Sequence, residues 1–305
     1  MRFLEVLTPA HTELGDTILK LYQKNKFEGN AHEHKKQITK MVREHRLYFQ
    51  NKPVGFLPYK VFKKGKAQAY LDLPGWKITK KDILFEDKWL IAINKPSGLP
   101  SQASLTFLQD HAYGAVLCHL RERKFQTSPQ LFLIHRLDMD TSGVLLMTKK
   151  ASVNKGMQSL FEQKKIQKTY WAVSSGEGPE LTSVQSYLGR KPDQSHQFKF
   201  GSFDKDHPGV KFSETDFKLL KSNGAYKLYE VSPKTGRSHQ IRVHMAEKGF
   251  PILGDVFYNG EKASRLALHA ESLSFEHPMT GENVLIKAPI DSQLEALLDK
   301  TSLNQ

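Results

Sequence analysis

The sequence predicts an α+β protein. The expected architecture is a mixed, largely antiparallel sheet with flanking helices and a central cleft, preceded by a small basic α+β domain. Three observations support the α+β class and the division into two domains. Short apolar runs bounded by Gly, Pro and Asn recur along the 305 residues, as strands between turns do. Amphipathic helical stretches fall between them irregularly, with neither a βαβ rhythm nor an internal repeat. Charge divides the chain near residue 80. Residues 1–80 hold 16 Lys and Arg against 7 Asp and Glu, a net +9, whereas 81–305 carry only +4 of the total +13. The domains are therefore set at 1–80 and 81–305.

With 39% hydrophobic and 25% charged residues, the chain has the composition of a folded soluble protein. No apolar run approaches the ~18–20 residues of a membrane-spanning helix, and the N-terminus lacks the basic-then-apolar pattern of a secretory signal. The single cysteine, Cys118, allows no internal disulfide and fits a reducing compartment. A cytoplasmic monomer without a membrane partner is expected. The concentrated positive charge of the first quarter is the footprint of a phosphate-rich partner, nucleic acid, and the alternative is a merely solvated basic surface.

Within 1–80, residues 15–24 carry Ile18, Leu19 and Tyr22 at helical spacing. Residues 34–46 set Ile38, Met41 and Val42 on one face and lysines elsewhere, an amphipathic basic helix. Short strands follow, and residues 73–77 read as a linker. From Ile83 a new rhythm begins: a turn, a buried strand over 89–93, then a Pro-Gly turn with Lys95 at its mouth. Helices are expected over 105–122 and 151–165, a strand over 168–173 presenting Tyr170, and a mobile loop near 204–209. A further helix is expected to start with Ser238 as N-cap and stop at Gly249. A last helix is read as opened by a Ser292-x-x-Glu295 capping box.

Between the apolar runs 131–134 and 144–148 lies His135-Arg-Leu-Asp-Met-Asp-Thr-Ser-Gly143. A surface hairpin needs only a short Gly, Asn or Asp turn, and this much charge between buried strands is costly unless it is paired or used. The order of residues is not that of a protein-kinase catalytic loop, and no Gly-rich loop accompanies it. There is no phosphate-binding P-loop, no Gly-x-Ser-x-Gly elbow and no cysteine pair for zinc. His239 and His244 lie five apart, off the i, i+4 spacing of a helical metal site, with Arg237 and Arg242 beside them. Asp138 and Asp140 form a carboxylate pair of the glycosidase kind, but that chemistry does not call for the surrounding arginines.

Taken in order, the charged loop, Asn94-Lys-Pro-Ser-Gly98, Lys168-Thr-Tyr170, Thr235-Gly-Arg-Ser-His-Gln-Ile-Arg-Val-His244, Pro251-Ile-Leu-Gly-Asp255, Arg265-Leu-Ala-Leu-His-Ala270 and His277-Pro-Met-Thr-Gly281 resemble the motifs of the RluA-type RNA pseudouridine synthases. The resemblance covers most of residues 83–290. Departures are confined to Ser238, where Thr is usual, and Phe250, where His is expected. It implies isomerisation of uridine in RNA to pseudouridine without cofactor or metal, ribosomal RNA standing ahead of transfer RNA as substrate. Asp138 matches the catalytic aspartate, acting either on the ribose C2′ proton or covalently at the sugar. Tyr170 would stack on uracil, and Arg242, with Arg237 second, would pair with Asp138. Leu137 and Ile241 would form apolar walls, Lys95 would contact substrate, and Arg136 would enter the place vacated by a flipped base. A non-catalytic RNA-binding factor on the same fold is the alternative. Residues 1–80, with Lys63-Lys-Gly-Lys66, resemble the small α-L RNA-binding domain.

Overall fold

The computed structural model describes residues 3–24, 30–43, 47–49, 52–54, 60–61, 63–70, 76–102, 110–123, 130–191 and 199–299. These form two compact units, one of residues 1–79 with 100–131 and one of 80–99 with 132–305. Among the described residues no helix is long and apolar enough to cross a membrane. Parts of the expected linker at 73–77 and of the expected helix at 105–122 lie outside the described residues.

The first unit contains β1 (Phe3–Thr8), β2 (Thr12–Glu13), α1 (Leu14–Lys24), α2 (Ala31–Arg43), β3 (Leu47–Phe49), β4 (Lys52–Pro53), β5 (Lys60–Val61), β6 (Gly65–Tyr70) and α3 (Ala112–Arg123). Its main sheet has the order β1-β6-β3-β4, and β2 pairs with β5. Of the expected apolar faces, Ile18 of α1 and Ile38 and Met41 of α2 are buried, joined by Leu14 at the start of α1. Helix α2 starts earlier than periodicity indicates because Asn30 and Glu33 form a capping box. Asn30 Oδ1 accepts from the N–H groups of His32 and Glu33, and Glu33 returns a bond to the Asn30 N–H.

The second unit is built on an 11-stranded sheet. Its strands are β7 (Ile83–Glu86), β8 (Leu90–Lys95), β9 (Phe132–Leu133), β10 (Ser142–Thr148), β11 (Gln167–Ser175), β12 (Leu181–Lys191), β13 (Lys199–Phe203), β14 (Lys211–Ser222), β15 (Tyr226–Pro233), β16 (Leu268–Glu276) and β17 (Asn283–Lys287). The order is β13-β12-β14-β15-β11-β16-β10-β8-β7, with β17 added to β16 and β9 to β10. Every pairing is antiparallel except β10 with β16. The sheet is thus mixed and largely antiparallel, as expected.

Two apolar cores cover the two halves of this sheet. Helix α4 (Ala151–Glu162) places Val153 and Met157 against Leu90, Ala92, Val144 and Leu146. Helices α5 (Gln240–Glu247) and α6 (Ser292–Asp299) place Ile241, Met245, Leu294 and Leu297 among Ala172, Phe217, Tyr229 and Val231. Phe250, the departure from the usual motif, is wholly buried here, packed edge-on against Phe217. Two expected caps differ. His239, not Ser238, is the N-cap of α5, because Gln240 Oε1 accepts the Arg237 N–H and organises the turn itself. At α6, Asp291 Oδ1 accepts from Leu294 N–H, so the carboxylate just ahead of Ser292 takes the capping role. The stop at Gly249 occurs as expected, in a left-handed conformation with φ 85°.

Strands β10 and β16, the one parallel pairing of this sheet, are in register through two residue pairs, Ser142 with His269 and Gly143 with Ala270. Gly143 has φ 112°, and a Cβ there would lie 2.2 Å from the Ala270 carbonyl oxygen. Both constraints demand glycine. Gly143→Ala is expected to destabilise the protein by ~3 kcal/mol or more, read as a lowered denaturant midpoint. A midpoint equal to the parent's would show that this junction tolerates a side chain.

Candidate active site

The charged loop between β9 and β10 is fastened from beneath by main-chain acceptors. Lys95 Nζ donates to the carbonyls of Pro96, Leu99 and Met139 at 2.7–2.8 Å. Ser97 Oγ donates to the Asp140 carbonyl at 2.7 Å, and Thr141 N–H closes a turn onto the Asp138 carbonyl. Leu146 N–H donates to His135 Nε2 at 2.9 Å. His135 is a neutral acceptor, since burial, with Lys168 adding to it, pushes its pKa down to about 3. Ser142 Oγ joins His269 Nδ1 and Arg265 Nη2, each at 2.7 Å. The other ring nitrogen of His269 donates to the Ala288 carbonyl.

Lys95, expected to meet substrate, is wholly buried and is not among the residues lining the cavity. Three carbonyls take its three ammonium donors, so it ties the loop down and has no proton left for a ligand. Burial lowers its pKa to about 7, against the opposing pull of Asp140 and Asp138.

The loop forms one wall of a cavity of about 550 Å³, the size of a small-molecule or nucleoside site. Asp138, Arg136 and Leu137 come from the loop. Tyr170 comes from β11, at a bulge between Thr169 and Tyr170 that breaks the register with β16 and re-aims the strand. Arg237, Ile241 and Arg242 come from the turn and first residues of α5. Seven of the eight expected residues therefore line one cavity. Leu137 and Ile241 are buried and apolar, and Arg136 is exposed. Burial, then the Asp138 charge, raises the Tyr170 pKa, leaving a neutral phenol.

Arg242 is the arginine that faces Asp138, with Nη1 3.7 Å from Oδ2. That separation is an ion pair rather than a hydrogen bond. Its hydrogen bonds go to Asp255: Nε to Oδ2 at 2.7 Å and Nη2 to Oδ1 at 2.8 Å, a bidentate fork. The guanidinium also lies over the Tyr258 ring, 5.1 Å from its centroid. Burial opposes its charge, but Asp255, and after it Asp138, raise the Arg242 pKa nonetheless. Arg237 instead sends Nε to the Phe212 carbonyl at 2.9 Å and stands exposed at the rim.

Several site residues carried no individual signal in the sequence. Asp255 follows a Gly in a short motif, and only the need of a buried arginine for an acid marks it. Gln240 accepts from Thr235 Oγ1 and Arg237 N–H and donates to the Glu214 carbonyl and Thr215 Oγ1, fixing the turn before α5. Lys168 Nζ donates to the Thr235 carbonyl at 2.9 Å, and burial together with Arg237 lowers its pKa to about 8. Among the described residues no group of three His, Cys, Asp or Glu side chains is placed to hold a metal ion.

The mixed, largely antiparallel sheet with its helices has the fold of pseudouridylate synthases. The human RNA pseudouridylate synthase domain-containing protein 4 superposes with a TM-score of 0.60 over 74% of this chain and 94% of its own, at 24% identity. Residues 89–247 match the RNA pseudouridylate synthase family. The ribosomal large subunit pseudouridine synthase C of Yersinia pestis is 36% identical over 254 residues, 79% of this chain and 75% of that protein. The tRNA pseudouridine synthase C of Haemophilus influenzae is 35% identical over 237 residues, 72% of this chain and 97% of that protein. The chain belongs to the RluA-type RNA pseudouridine synthase family. It is an isomerase that converts uridine in RNA to pseudouridine.

Acid is expected to loosen the site. His135, and likewise buried His244, whose pKa burial lowers to about 4, bind protons more readily unfolded than folded. Their contribution is intact above pH 6.5 and is lost as pH falls through 6.5 toward 3–4. Urea unfolding between pH 7 and pH 4 should show falling stability, with His135→Gln reducing the slope by up to one proton. An unchanged slope in that variant would assign the acid sensitivity elsewhere.

Proposed function

We propose that the enzyme acts on specific uridines of ribosomal RNA and that Asp138 performs the chemistry at the ribose. The observation that carries the reading is the pairing of Asp138 with the buried Arg242 at 3.7 Å, inside a nucleoside-sized cavity that Tyr170 also lines. Only Asp138 and Glu162 supply carboxylates to that lining, and of the two only Asp138 carries a guanidinium partner. Ribosomal RNA is favoured because relatives from several bacteria bear the name ribosomal large subunit pseudouridine synthase. A transfer RNA target is the second reading, favoured by the Haemophilus relative.

In the reaction the C1′–N1 bond breaks and its electron pair leaves with uracil. The base turns, C5 bonds to C1′, the C5 proton departs and N1 is protonated. Asp138 acts on the sugar, either taking the C2′ proton and returning it as C5 bonds to C1′, or bonding at C1′ until C5 displaces it. Arg242 supplies the countercharge that keeps a carboxylate tolerable in a partly closed site. Tyr170, flanked by Leu137 and Ile241, offers a neutral aromatic surface on which uracil stacks. A cavity of this size takes one nucleoside, so the target is flipped from its stack, and exposed Arg136 fills the gap. Arg237 and Lys168 line the same cavity and meet the flanking phosphates. Residues 1–80, with their +9 charge, dock the RNA, and the enzyme works in the cytoplasm.

Asp138→Asn is expected to abolish pseudouridine formation while RNA affinity stays within threefold of the parent. Site-resolved pseudouridine mapping of ribosomal RNA from cells lacking the protein, treated with parent or variant, checks both residue and target. Pseudouridine formed by the variant would assign the chemistry to another group.

A further inference from the structure

His239 occupies an unusual position on the inner wall of the cavity. It is the N-cap of α5 in the left-handed region, with φ 56° and ψ 17°. Such backbone is strained for a non-glycine residue and persists where the surroundings impose it. Here three aromatic rings surround the imidazole: Phe200, Tyr258 and Phe257, with centroids 5.3, 5.7 and 5.9 Å away.

The hydrogen bonds bear on its tautomer. Phe200 N–H donates to Tyr258 Oη at 3.0 Å, and Tyr258 Oη lies 2.8 Å from His239 Nδ1. With the phenol oxygen already accepting from Phe200, the arrangement that gives the phenol proton a partner has Oη–H donating to Nδ1. In that tautomer the imidazole proton sits on Nε2, which has no protein partner among the described residues. Burial, with Arg242 and Arg136 adding to it against Asp138 and Asp255, keeps the ring neutral.

Three neighbouring donors of the lining are occupied. Gln240 makes four hydrogen bonds, Thr235 Oγ1 donates to Gln240, and Arg242 is divided between Asp255 and Asp138. When the C1′–N1 bond breaks, the detached uracil bears negative charge spread over N1, O2 and O4. A preorganised N–H is the group that stabilises such charge.

We propose that His239 is a catalytic residue, its Nε2–H donating to a carbonyl oxygen of the target uracil and holding the detached base while it turns. The inference rests on the reading that a flipped uridine occupies this cavity beside Asp138. Tyr258 is then a positioning residue that sets the tautomer.

The test is release of tritium from C5-tritiated RNA of cells lacking the enzyme, measured with ribosomal and transfer RNA pools separately. His239→Phe keeps an aromatic ring in the cage but removes the N–H. It should lower kcat by about 10²–10³ with KM within threefold. His239→Gln, which restores an N–H, should be at least tenfold faster than His239→Phe. Should the Phe variant fail to fold, judged by its melting temperature, Tyr258→Phe decides, with kcat reduced at least fivefold at unchanged KM. Parent-like kcat in His239→Phe, no advantage for Gln, a loss confined to KM, or parent-like kcat in the deciding Tyr258→Phe variant would each overturn the proposal. Parent activity on transfer RNA alone would overturn the ribosomal assignment instead, and the His239 comparison would then be read on that pool.

Discussion

The site depends on one buried pair, the bidentate fork between Arg242 and Asp255. A guanidinium out of water is tolerable only with an acid against it, and removing one partner of such a pair costs about 3–5 kcal/mol. Asp255 uses Nε and Nη2 and leaves Nη1 facing Asp138. The pair therefore does two things: it satisfies the arginine, and it aims the remaining nitrogen across the cavity. Tyr258 supports both, lying under the guanidinium and bonded to His239.

Opposite this pair, the loop bearing Asp138 is held through its backbone rather than its side chains. Lys95 and Ser97 grip the carbonyls of Met139 and Asp140, while Ser142, His269 and Arg265 lock the point where the two halves of the sheet join. Fixing the main chain leaves the Asp138 and Arg136 side chains available in the cavity. The role proposed for Asp138 needs that combination of a rigid anchor and an uncommitted tip.

The helices were partly legible in the sequence, because apolar spacing marks stripes at 15–24, 34–46 and 151–165 that overlap the observed helices, whereas the polar strands between 181 and 222 carried no comparable signal. The convergence of Asp138, Tyr170 and Arg242 was not contained in any spacing, and it came from resemblance to known motifs. Lys95 shows why side-chain roles are harder to read. Beside a Pro-Ser-Gly turn it looks like a mouth residue, yet its third acceptor comes from residue 139, brought near only by the pairing of β8 with β10. His239 shows the same limit. Ser238 is the better N-cap by type, but the turn is determined by the anchoring of Gln240 to Glu214 and Thr215 and by the aromatic cage, and neither is local information.

The central claim is that Asp255 serves the reaction through Arg242. A double-mutant cycle on kcat tests it most directly, using Asp255→Asn and Arg242→Met, alone and together, with melting temperatures confirming folded protein. Each single change should lower kcat by roughly 10²-fold or more, the loss of one charge-stabilising group. If Asp255 acts through Arg242, adding Asp255→Asn to the Arg242→Met enzyme should lower kcat no further. Losses that multiply across the cycle would contradict the account and give Asp255 a separate role.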